Sequence, residues 1–297
     1  MTVDVVCAGP PFLDIVFRGL PRIPRAGEEV LASEVITVPG AMANVAFALR
    51  QLGLNSVVCS PVGIDPAGRL LQELMAEAGI PWIGEPTDST SLSVALPIDG
   101  DRAFVTVQSD AVVDLDAIAA MSPRALVVNL PLPGRMPDGP WIYGVVGDPQ
   151  VAILLDDGPK PLTDLRTLIL NEREARHLTG LSDPLEAAAQ LAARGCPVVV
   201  TRGEDGAAAA MPDGQVLEAA AIFTEAFDTV GAGDLFTAAF IWADLLGRPV
   251  GECLSLATAY ASLSLARPAP RQKGLTAVAF RVALAATEAP MDWLQEV

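Results

Sequence analysis

Apolar residues along this chain fall into short runs that alternate between strand-like and helix-like spacing. Residues 3–8 and 56–60 are mainly apolar segments of strand length. Residues 43–52 and 68–78 have helical spacing, and a glycine follows each of them, as is common at the end of a helix. The alternating series continues with residues 125–130, 151–155 and 167–170, a helix from Glu172, a helix over 184–194, and residues 198–201. Such alternation predicts an α/β fold with a mainly parallel sheet covered by helices.

Two parts of the chain, near residues 12–38 and 90–108, do not fit this alternation. Residues 14–18 alternate polar and apolar side chains, and residues 27–38 form another strand-like segment that ends at a Pro-Gly pair. Residues 91–97 and 103–108 flank Asp99-Gly100, a hairpin turn signal. We therefore expect one domain over residues 1–297, with a small, discontinuous β-sheet lid on one side.

The most distinctive stretch is Asp-Thr-Val-Gly-Ala-Gly-Asp at 228–234, which runs directly into an apolar segment, 235–242. A helix that is apolar nearly all round is a buried helix, so its N-terminus lies inside the protein. The N–H groups there lack intrahelical partners and attract anions, and glycines let an anion approach. Gly231, Ala232 and Gly233 are thus candidates for an anion hole. Asp234 beside an anion suggests a proton acceptor for a hydroxyl that attacks phosphorus, although it could merely charge the first helical turn.

Three polar residues follow predicted strands or precede predicted helices. Asp14, Asn44 and Asp65 occupy such positions, which lie at the carboxyl ends of strands, where open α/β sheets bind ligands. Carboxylates and amides can hold several hydroxyl groups with fixed geometry. The alternatives are ordinary, since Asn44 could be a plain helix residue and Asp65 a turn residue before Pro66.

Two further segments have both a functional and a structural interpretation. Asn171 and Glu174 follow a predicted strand and open a helix, in the spacing of a capping box. Gly203 and Gly206 would let the backbone after Thr201 lie against a ligand, or would simply form a β-turn. His177, the only histidine, is expected to be structural or exposed.

The charge balance limits the class of partner. The formal net charge is −17, and Lys160 and Lys273 are the only lysines. Such acidity opposes binding to nucleic acid and to anionic membranes, and an anionic ligand would need placed donors or a bound cation. Four scattered cysteines indicate neither a zinc site nor a disulfide framework. With no signal peptide and no long apolar run, we expect a soluble cytoplasmic protein.

The 228–234 stretch resembles the C-terminal signature of the ribokinase-like (PfkB) family of sugar and nucleoside kinases. Residues 39–44, Pro-Gly-Ala-Met-Ala-Asn, resemble the family's G-G-x-x-x-N motif, with Ala41 in place of the second glycine. Residues 63–65 resemble its G-x-D motif, residues 171–174 its N-x-x-E motif, and residues 201–207 its T-x-G-x-x-G-A segment. The motifs occur in the family's order, between about residues 9 and 267.

The resemblance implies a ribokinase-like three-layer sandwich with a β lid, and a role for each candidate residue. Asp234 would be the catalytic base, beside an anion hole at Gly231, Ala232 and Gly233. The acceptor's hydroxyls would be held by Asp14, Gly40, Asn44 and Asp65. The nucleotide would lie against Thr201, Gly203 and Gly206, and Asn171 and Glu174 would hold Mg²⁺ through water. ATP and Mg²⁺ are the implied cofactors, and a monovalent cation is left open.

The expected reaction is ATP-dependent phosphorylation of a primary hydroxyl of a small-molecule sugar. The turn at 40–44 contains no lysine to hold a phosphate, which favours a non-phosphorylated acceptor. A nucleoside or a 2-keto-3-deoxy sugar acid stays open as the acceptor, and the lid sheet is a candidate homodimer surface.

Two other classes of protein can be weighed against a kinase. A dinucleotide-dependent oxidoreductase should carry G-x-G-x-x-G in its first βαβ unit, and this chain does not. A non-catalytic sugar or nucleotide sensor on the same fold is disfavoured only because Asp234 is present.

Overall fold

The computed structural model describes residues 2–98, 101–109, 112–131, 134–222, 229–267 and 274–287. In chain order its strands are β1 Val5–Ala8, β2 Pro11–Arg18, β3 Glu34–Ala41, β4 Ser56–Cys59, β5 Trp82–Ile83, β6 Leu92–Ile98, β7 Asp101–Val107, β8 Ala125–Asn129, β9 Trp141–Val145, β10 Thr167–Asn171, β11 Val198–Thr201, β12 Ala207–Ala210 and β13 Val216–Ala219. Its helices are α1 Met42–Gln51, α2 Pro66–Glu77, α3 Leu115–Met121, α4 Asp148–Asp157, α5 Glu172–Thr179, α6 Pro184–Ala192, α7 Ala232–Leu245, α8 Val250–Leu265 and α9 Ala277–Ala285.

A central sheet with strand order β13-β12-β11-β10-β9-β8-β1-β4-β5 forms the middle layer. It is parallel from β11 to β5, and β12 and β13 add antiparallel strands at one edge. Successive side chains of β1 enter different cores: Val5 and Cys7 pack with α1, α7 and α8, whereas Val6 and Ala8 pack with α3 to α6. Both faces are covered, which explains why most residues of these strands are apolar. The three-layer arrangement is as predicted.

The lid is a separate sheet with strand order β3-β2-β6-β7. Its strands fall within the predicted segments, but the strand expected over residues 27–38 begins only at Glu34 and continues to Ala41. Buried and half-buried side chains alternate along residues 92–96 of β6 and along residues 14–17 of β2, so that one face of the lid is more buried than the other. The predicted Asp99-Gly100 turn lies outside the described residues.

Four strands of the central sheet were not predicted from the sequence: β5, β9, β12 and β13. Residues 151–155, part of the predicted alternating series, lie inside helix α4, and β9, Trp141–Val145, precedes that helix. Gly144 interrupts the apolar run of β9, because a Cβ there would come within 2.9 Å of Leu165 Cδ1. A glycine thus stands in the middle of β9, which weakens its strand pattern.

Helix α7 is buried along nearly its whole length, from Leu235 to Asp244, and packs against α8 and α1. This burial confirms the reading of residues 235–242 as a buried helix, but the start of α7 is not buried: Gly231, Ala232 and Asp234 are half-buried, and Gly233 is exposed. All four cysteines are buried and free. No helix among the described residues is long and apolar enough to span a membrane.

Candidate active site

A cavity of about 560 Å³ lies between the carboxyl ends of the central strands and the lid. Predicted site residues from distant parts of the sequence line it together: Asp14, Asn44, Asn171, Glu174, Thr201, Gly231, Gly233 and Asp234. This is the position in which an open α/β sheet is expected to bind a ligand.

The start of α7 forms one wall of the cavity. Gly231 precedes the helix in a left-handed conformation, with φ of 80°. The N–H of Ala232 donates to the carbonyl of Thr229 at 3.2 Å, so the first-turn N–H groups beyond it, at Gly233 and Asp234, are the ones placed to meet an anion. Asp228, the first residue of the motif, lies outside the described residues.

Asp234 is half-buried at the cavity wall. Removal from bulk water raises the pKa of its carboxyl to about 6, and a hydrogen bond from Asn44 opposes that rise. The Nδ2 of Asn44 donates to Oδ2 of Asp234 at 3.0 Å. A carboxylate with a raised pKa at a helix N-terminus is suited to accept a proton near neutral pH.

Asp14 enters the cavity from lid strand β2. It is buried, and this burial, together with the charge of Asp234, raises the pKa of its carboxyl to about 7. Gly40 is not in the cavity wall, but a Cβ at Gly40 would overlap the Asp14 carboxylate. Gly40 therefore leaves the space that Asp14 occupies.

Ala41, the departure from the family motif, has a backbone conformation that favours glycine. Its φ is 50° and its ψ is −124°, immediately before helix α1. Non-glycine residues rarely adopt such angles because Cβ crowds the backbone. The structure thus explains the glycine of the motif by backbone geometry, and the alanine here is accommodated with strain.

Asn171 and Glu174 form the capping box that their spacing suggested. The Asn171 side chain accepts from the N–H of Glu174 at 2.8 Å, and Glu174 Oε2 accepts from the N–H of Asn171 at 2.8 Å. Burial and the nearby charge of Asp148 raise the pKa of Glu174 to about 7. Both members of the box also line the cavity, so the structural role is observed and the functional role stays a prediction.

Asp148 is a cavity residue that the sequence did not indicate. It opens helix α4 and lies on the same side of the cavity as Asn171 and Glu174, with its carboxylate 2.8 Å from Arg173. The useful signal was an acidic residue just after a strand, but β9 itself was not recognised. Among the described residues, no group of three or more His, Cys, Asp or Glu side chains could hold a metal directly.

Of the three predicted nucleotide residues, Thr201 lines the cavity, and Gly203 and Gly206 do not. Gly206 has φ of 83°, and a Cβ there would overlap the carbonyl of Ala219. A glycine at position 206 therefore allows the end of β13 to pack against the turn before β12. Gly203 has φ of 57° in an exposed single turn of 3₁₀ helix.

Asp65 lies outside the cavity wall and caps helix α2. Its Oδ1 accepts from the N–H of Gly68 at 2.7 Å and from the hydroxyl of Thr90 at 2.6 Å, while Oδ2 accepts from the N–H of Thr90 at 3.2 Å. Partial burial alone would raise the pKa of Asp65, but these hydrogen bonds lower it overall. In this structure Asp65 joins α2 to the segment before β6 rather than facing the cavity.

The lid contributes side chains that the sequence did not single out: Phe12, Ser93, Phe104, Thr106 and Gln108. Ser93 Oγ and Thr106 Oγ1 are 2.7 Å apart, and the strand register places Ser93 opposite Asp14. Alternation alone could not show which face of each strand turns inward, so these residues could not be chosen in advance.

The cavity wall is acidic. It includes the carboxylates of Asp14, Asp148, Glu174 and Asp234, and the described lining residues include no Lys, Arg or His. An anionic ligand here therefore needs backbone donors and a cation.

Comparisons with known proteins identify the family and the fold. The pattern of the pfkB family carbohydrate kinases matches residues 22–127 and 149–276. The chain is 30% identical over 278 residues to a ribokinase of Bacillus subtilis, covering 88% of this chain and 92% of that protein. It is 28% identical over 285 residues to an ATP-dependent ribose-1-phosphate kinase of Halopiger xanaduensis, covering 91% and 94%. The structure of an Arabidopsis thaliana ribokinase complexed with ribose and ATP has the same fold, with a TM-score of 0.71, 24% identity and coverage of 97% and 100%.

Proposed function

Because the chain belongs to the pfkB family of carbohydrate kinases, we propose that it transfers the γ-phosphoryl group of ATP to a hydroxyl of a non-phosphorylated sugar. The observation that carries the proposal is the position of Asp234. Its carboxylate lies in the first turn of α7, in one cavity with Asp14 and Asn44. A proton acceptor, hydroxyl-binding groups and an anion-binding helix terminus thus meet at one place.

The proposed step follows from these positions. Asp234 accepts the proton as the O–H bond of the acceptor breaks, and the freed electron pair of that oxygen attacks the γ-phosphorus. The bond from phosphorus to the bridging oxygen breaks, and its electron pair leaves with ADP. N–H groups of Gly233 and Asp234 stabilise the charge on the transferring phosphoryl group. Asp14 holds the acceptor so that its hydroxyl reaches Asp234.

The oxygen-rich side of the cavity fits Mg²⁺. Asn171, Glu174 and Asp148 offer amide and carboxylate oxygens, which hard cations prefer. Without a closed cage of carboxylates among the described residues, these side chains suit contact through water. A magnesium ion bound there would offset the phosphate charge that the acidic wall cannot neutralise.

The acceptor class follows from the charge of the wall. A sugar phosphate or a sugar acid would bring a negative charge beside Asp14 and Asp234, with no cationic side chain among the described lining residues. A neutral sugar avoids that repulsion. A nucleoside is the second candidate, because Phe12 and Phe104 line the lid side of the cavity and could stack on a base.

The lid is proposed to close over the acceptor and to pair with a second copy of the chain. The sheet register places Val35, Val105 and Val107 on the lid face away from the cavity, where they are 54%, 62% and 63% exposed. Such a face is suited to an isologous dimer contact. Light scattering of the wild type and of Val105→Glu would test it, since the variant should be monomeric.

The activity is tested with MgATP and a panel of neutral sugars, nucleosides, sugar acids and sugar phosphates. ADP release and the ³¹P NMR spectrum of the product are measured, with Asp234→Asn as the control. We expect acceptor-dependent ADP release and a new phosphomonoester, best with a neutral sugar. If ATP and a sugar bind but no hydroxyl compound is phosphorylated, the chain is a sensor and the proposal is wrong.

A further inference from the structure

Asn44, which was predicted to hold the acceptor, also contacts Asp234, the proposed base, through its amide. Its Nδ2 donates to Asp234 Oδ2 at 3.0 Å across the packed helices α1 and α7, between residues 190 positions apart in the sequence. Gly231 permits this approach, since a Cβ there would lie 3.3 Å from the same Nδ2. The hydrogen bond between Asn44 and Asp234 is therefore part of the packing between α1 and α7.

Asp234 also faces a second carboxylate. Asp14 enters the cavity from the lid, and the two charges interact. Asp234 accepts a hydrogen bond from Asn44, whereas no hydrogen bond from the described part of the chain reaches the Asp14 side chain. Two neighbouring carboxylates seldom ionise together, and a donated hydrogen bond favours the ionised form of the one that receives it.

The remaining charged groups around the pair do not reverse this preference. The buried thiol of Cys7 on β1 interacts with Asp234, and Asp148 and Glu174 face the cavity from α4 and α5. These groups are neutral or acidic. The described wall offers no Lys, Arg or His that could favour ionisation of Asp14 instead.

We propose that Asn44 is a positioning residue that fixes the Asp234 carboxylate and keeps it ionised, while Asp14 holds the proton that the two acids share. The inference rests on the proposed role of Asp234 as the base. Oδ2 is occupied by the amide, so Oδ1 accepts the proton from the acceptor's hydroxyl. Protonated Asp14 donates a hydrogen bond to another oxygen of the acceptor.

A pH profile of turnover separates this role from plain acceptor binding. Asn44→Leu removes the donor at similar volume, and Asn55→Leu, at an exposed position after α1, is the matched control. Without the donor, Asp234 should ionise at higher pH, so the acid limb of the kcat profile should move up by about one pH unit. Relative to wild type at the same pH, turnover of the variant should be about tenfold lower below about pH 6, and this difference should narrow as pH rises past about 7. A raised acceptor KM with an unmoved acid limb would overturn the proposal.

A titration without substrate tests the same inference independently of the reaction. Carboxyl ¹³C signals of labelled aspartate are followed with pH, and Asp14→Asn and Asp234→Asn assign the two signals. Wild type should show midpoints near pH 7 for Asp14 and near pH 6 for Asp234, and Asn44→Leu should raise the second. If Asn44→Leu does not fold, Asn44→Ala removes the donor without bulk.

The titration distinguishes failure of this inference from failure of the proposed function. An Asp234 midpoint that is unchanged in the Asn44 variants overturns the positioning role, whatever the enzyme phosphorylates. A raised midpoint in a protein that phosphorylates nothing would support the Asn44 contact and reject the kinase reaction.

Discussion

Helix α7 carries an aspartate near each end, and the two have different surroundings. Asp244, near the C-terminus, is buried and fully matched: Arg166 donates to both of its oxygens at 2.9 and 3.0 Å, and the Tyr143 hydroxyl donates at 2.7 Å. Within the described part of the chain, Asp234 in the first turn accepts one hydrogen bond, from Asn44, and it opens to the cavity. The two aspartates of α7 thus differ in their hydrogen-bond partners and in their access to the cavity.

The comparison shows how the neighbours of an aspartate decide whether it has a structural or a chemical role. The charge of Asp244 is compensated, and this interaction raises the pKa of the Arg166 guanidinium, which keeps the ion pair intact. The charge of Asp234 is only partly compensated, and removal from bulk water raises the pKa of Asp234 to about 6. An undercompensated carboxylate at a helix terminus is available to exchange a proton, whereas a matched one is not.

The largest effect on turnover is expected from a substitution of Asp234. Asp234→Asn should lower turnover about 10²–10⁴-fold, because the amide cannot accept the proton from the acceptor. ATP binding should remain, and Asp116→Asn, at an exposed position in α3, is the control. Steady-state kinetics and ATP titration measure both properties. A variant that keeps more than about a tenth of wild-type turnover would remove Asp234 from the base role.

The opposite result is expected at the other end of the helix. Asp244→Ala should lower the free energy of unfolding by about 3 kcal/mol, since Arg166 and Tyr143 lose their shared partner. Partial exposure of the Arg166 side chain, at 44%, keeps the loss below that of a fully buried pair. Chemical denaturation measures the loss, and kcat of the folded enzyme should stay within about twofold. Loss of kcat without loss of stability would contradict the structural role.

Glu174 combines features of both aspartates, because it belongs to a capping box and also faces the cavity. Glu174→Gln keeps a side-chain oxygen for the N–H of Asn171, so it should cost less than about 1 kcal/mol of stability if only the box is affected. If Glu174 also acts through Mg²⁺, the metal concentration for half-maximal rate should rise several-fold. A thermal melt and a Mg²⁺ titration on one preparation decide between these outcomes. Unchanged metal dependence would leave Glu174 with the structural role alone.

The smallest effect is expected at the strained turn before α1. Ala41→Gly should relieve a backbone strain of about 1–2 kcal/mol, partly offset by the greater freedom of glycine in the unfolded chain. The expected net gain is about 0.5–1 kcal/mol in the free energy of unfolding. Ala43→Gly, within the helix, is the contrasting control and should be destabilising. A destabilised Ala41→Gly protein would show that the positive φ carries no strain.

Much of the fold could be predicted from the sequence, because both faces of the sheet are covered and its strands are clear apolar runs. The helices before Gly53 and Gly79 were placed within two residues of their observed ends. Strand β9 could not be predicted, because Gly144 fits against Leu165 only in the folded protein. The apolar pattern of the sequence therefore predicts the layers of the fold but not the individual packing contacts between them.

For the candidate site, the motifs indicated eight residues that line the cavity but could not assign their contacts. The sequence could not show that Asp65 is held by Thr90, since those residues lie 25 positions apart. Nor could it show that Gly40 accommodates Asp14, or that Asn44 contacts the base. Each of these relations depends on long-range packing, and local pattern contains no information about it.

The central claim, that Asp234 is an undercompensated acid used as a base, predicts opposite effects of pH on stability and on turnover. Its pKa is about 6 in the folded protein and about 3.9 when unfolded. Between these values the folded state binds more protons, so this carboxyl destabilises the protein fully above about pH 6, and the cost disappears as pH falls towards about 4.

The most direct measurement is the free energy of unfolding of wild type and Asp234→Asn between about pH 4.5 and 8, with wild-type turnover on the same preparation. Asp234→Asn should be more stable by about 2 kcal/mol above about pH 7, and the difference should shrink as pH falls, over the range in which wild-type turnover is lost. A stability difference that is the same at every pH, or turnover that persists at about pH 5, would contradict the account.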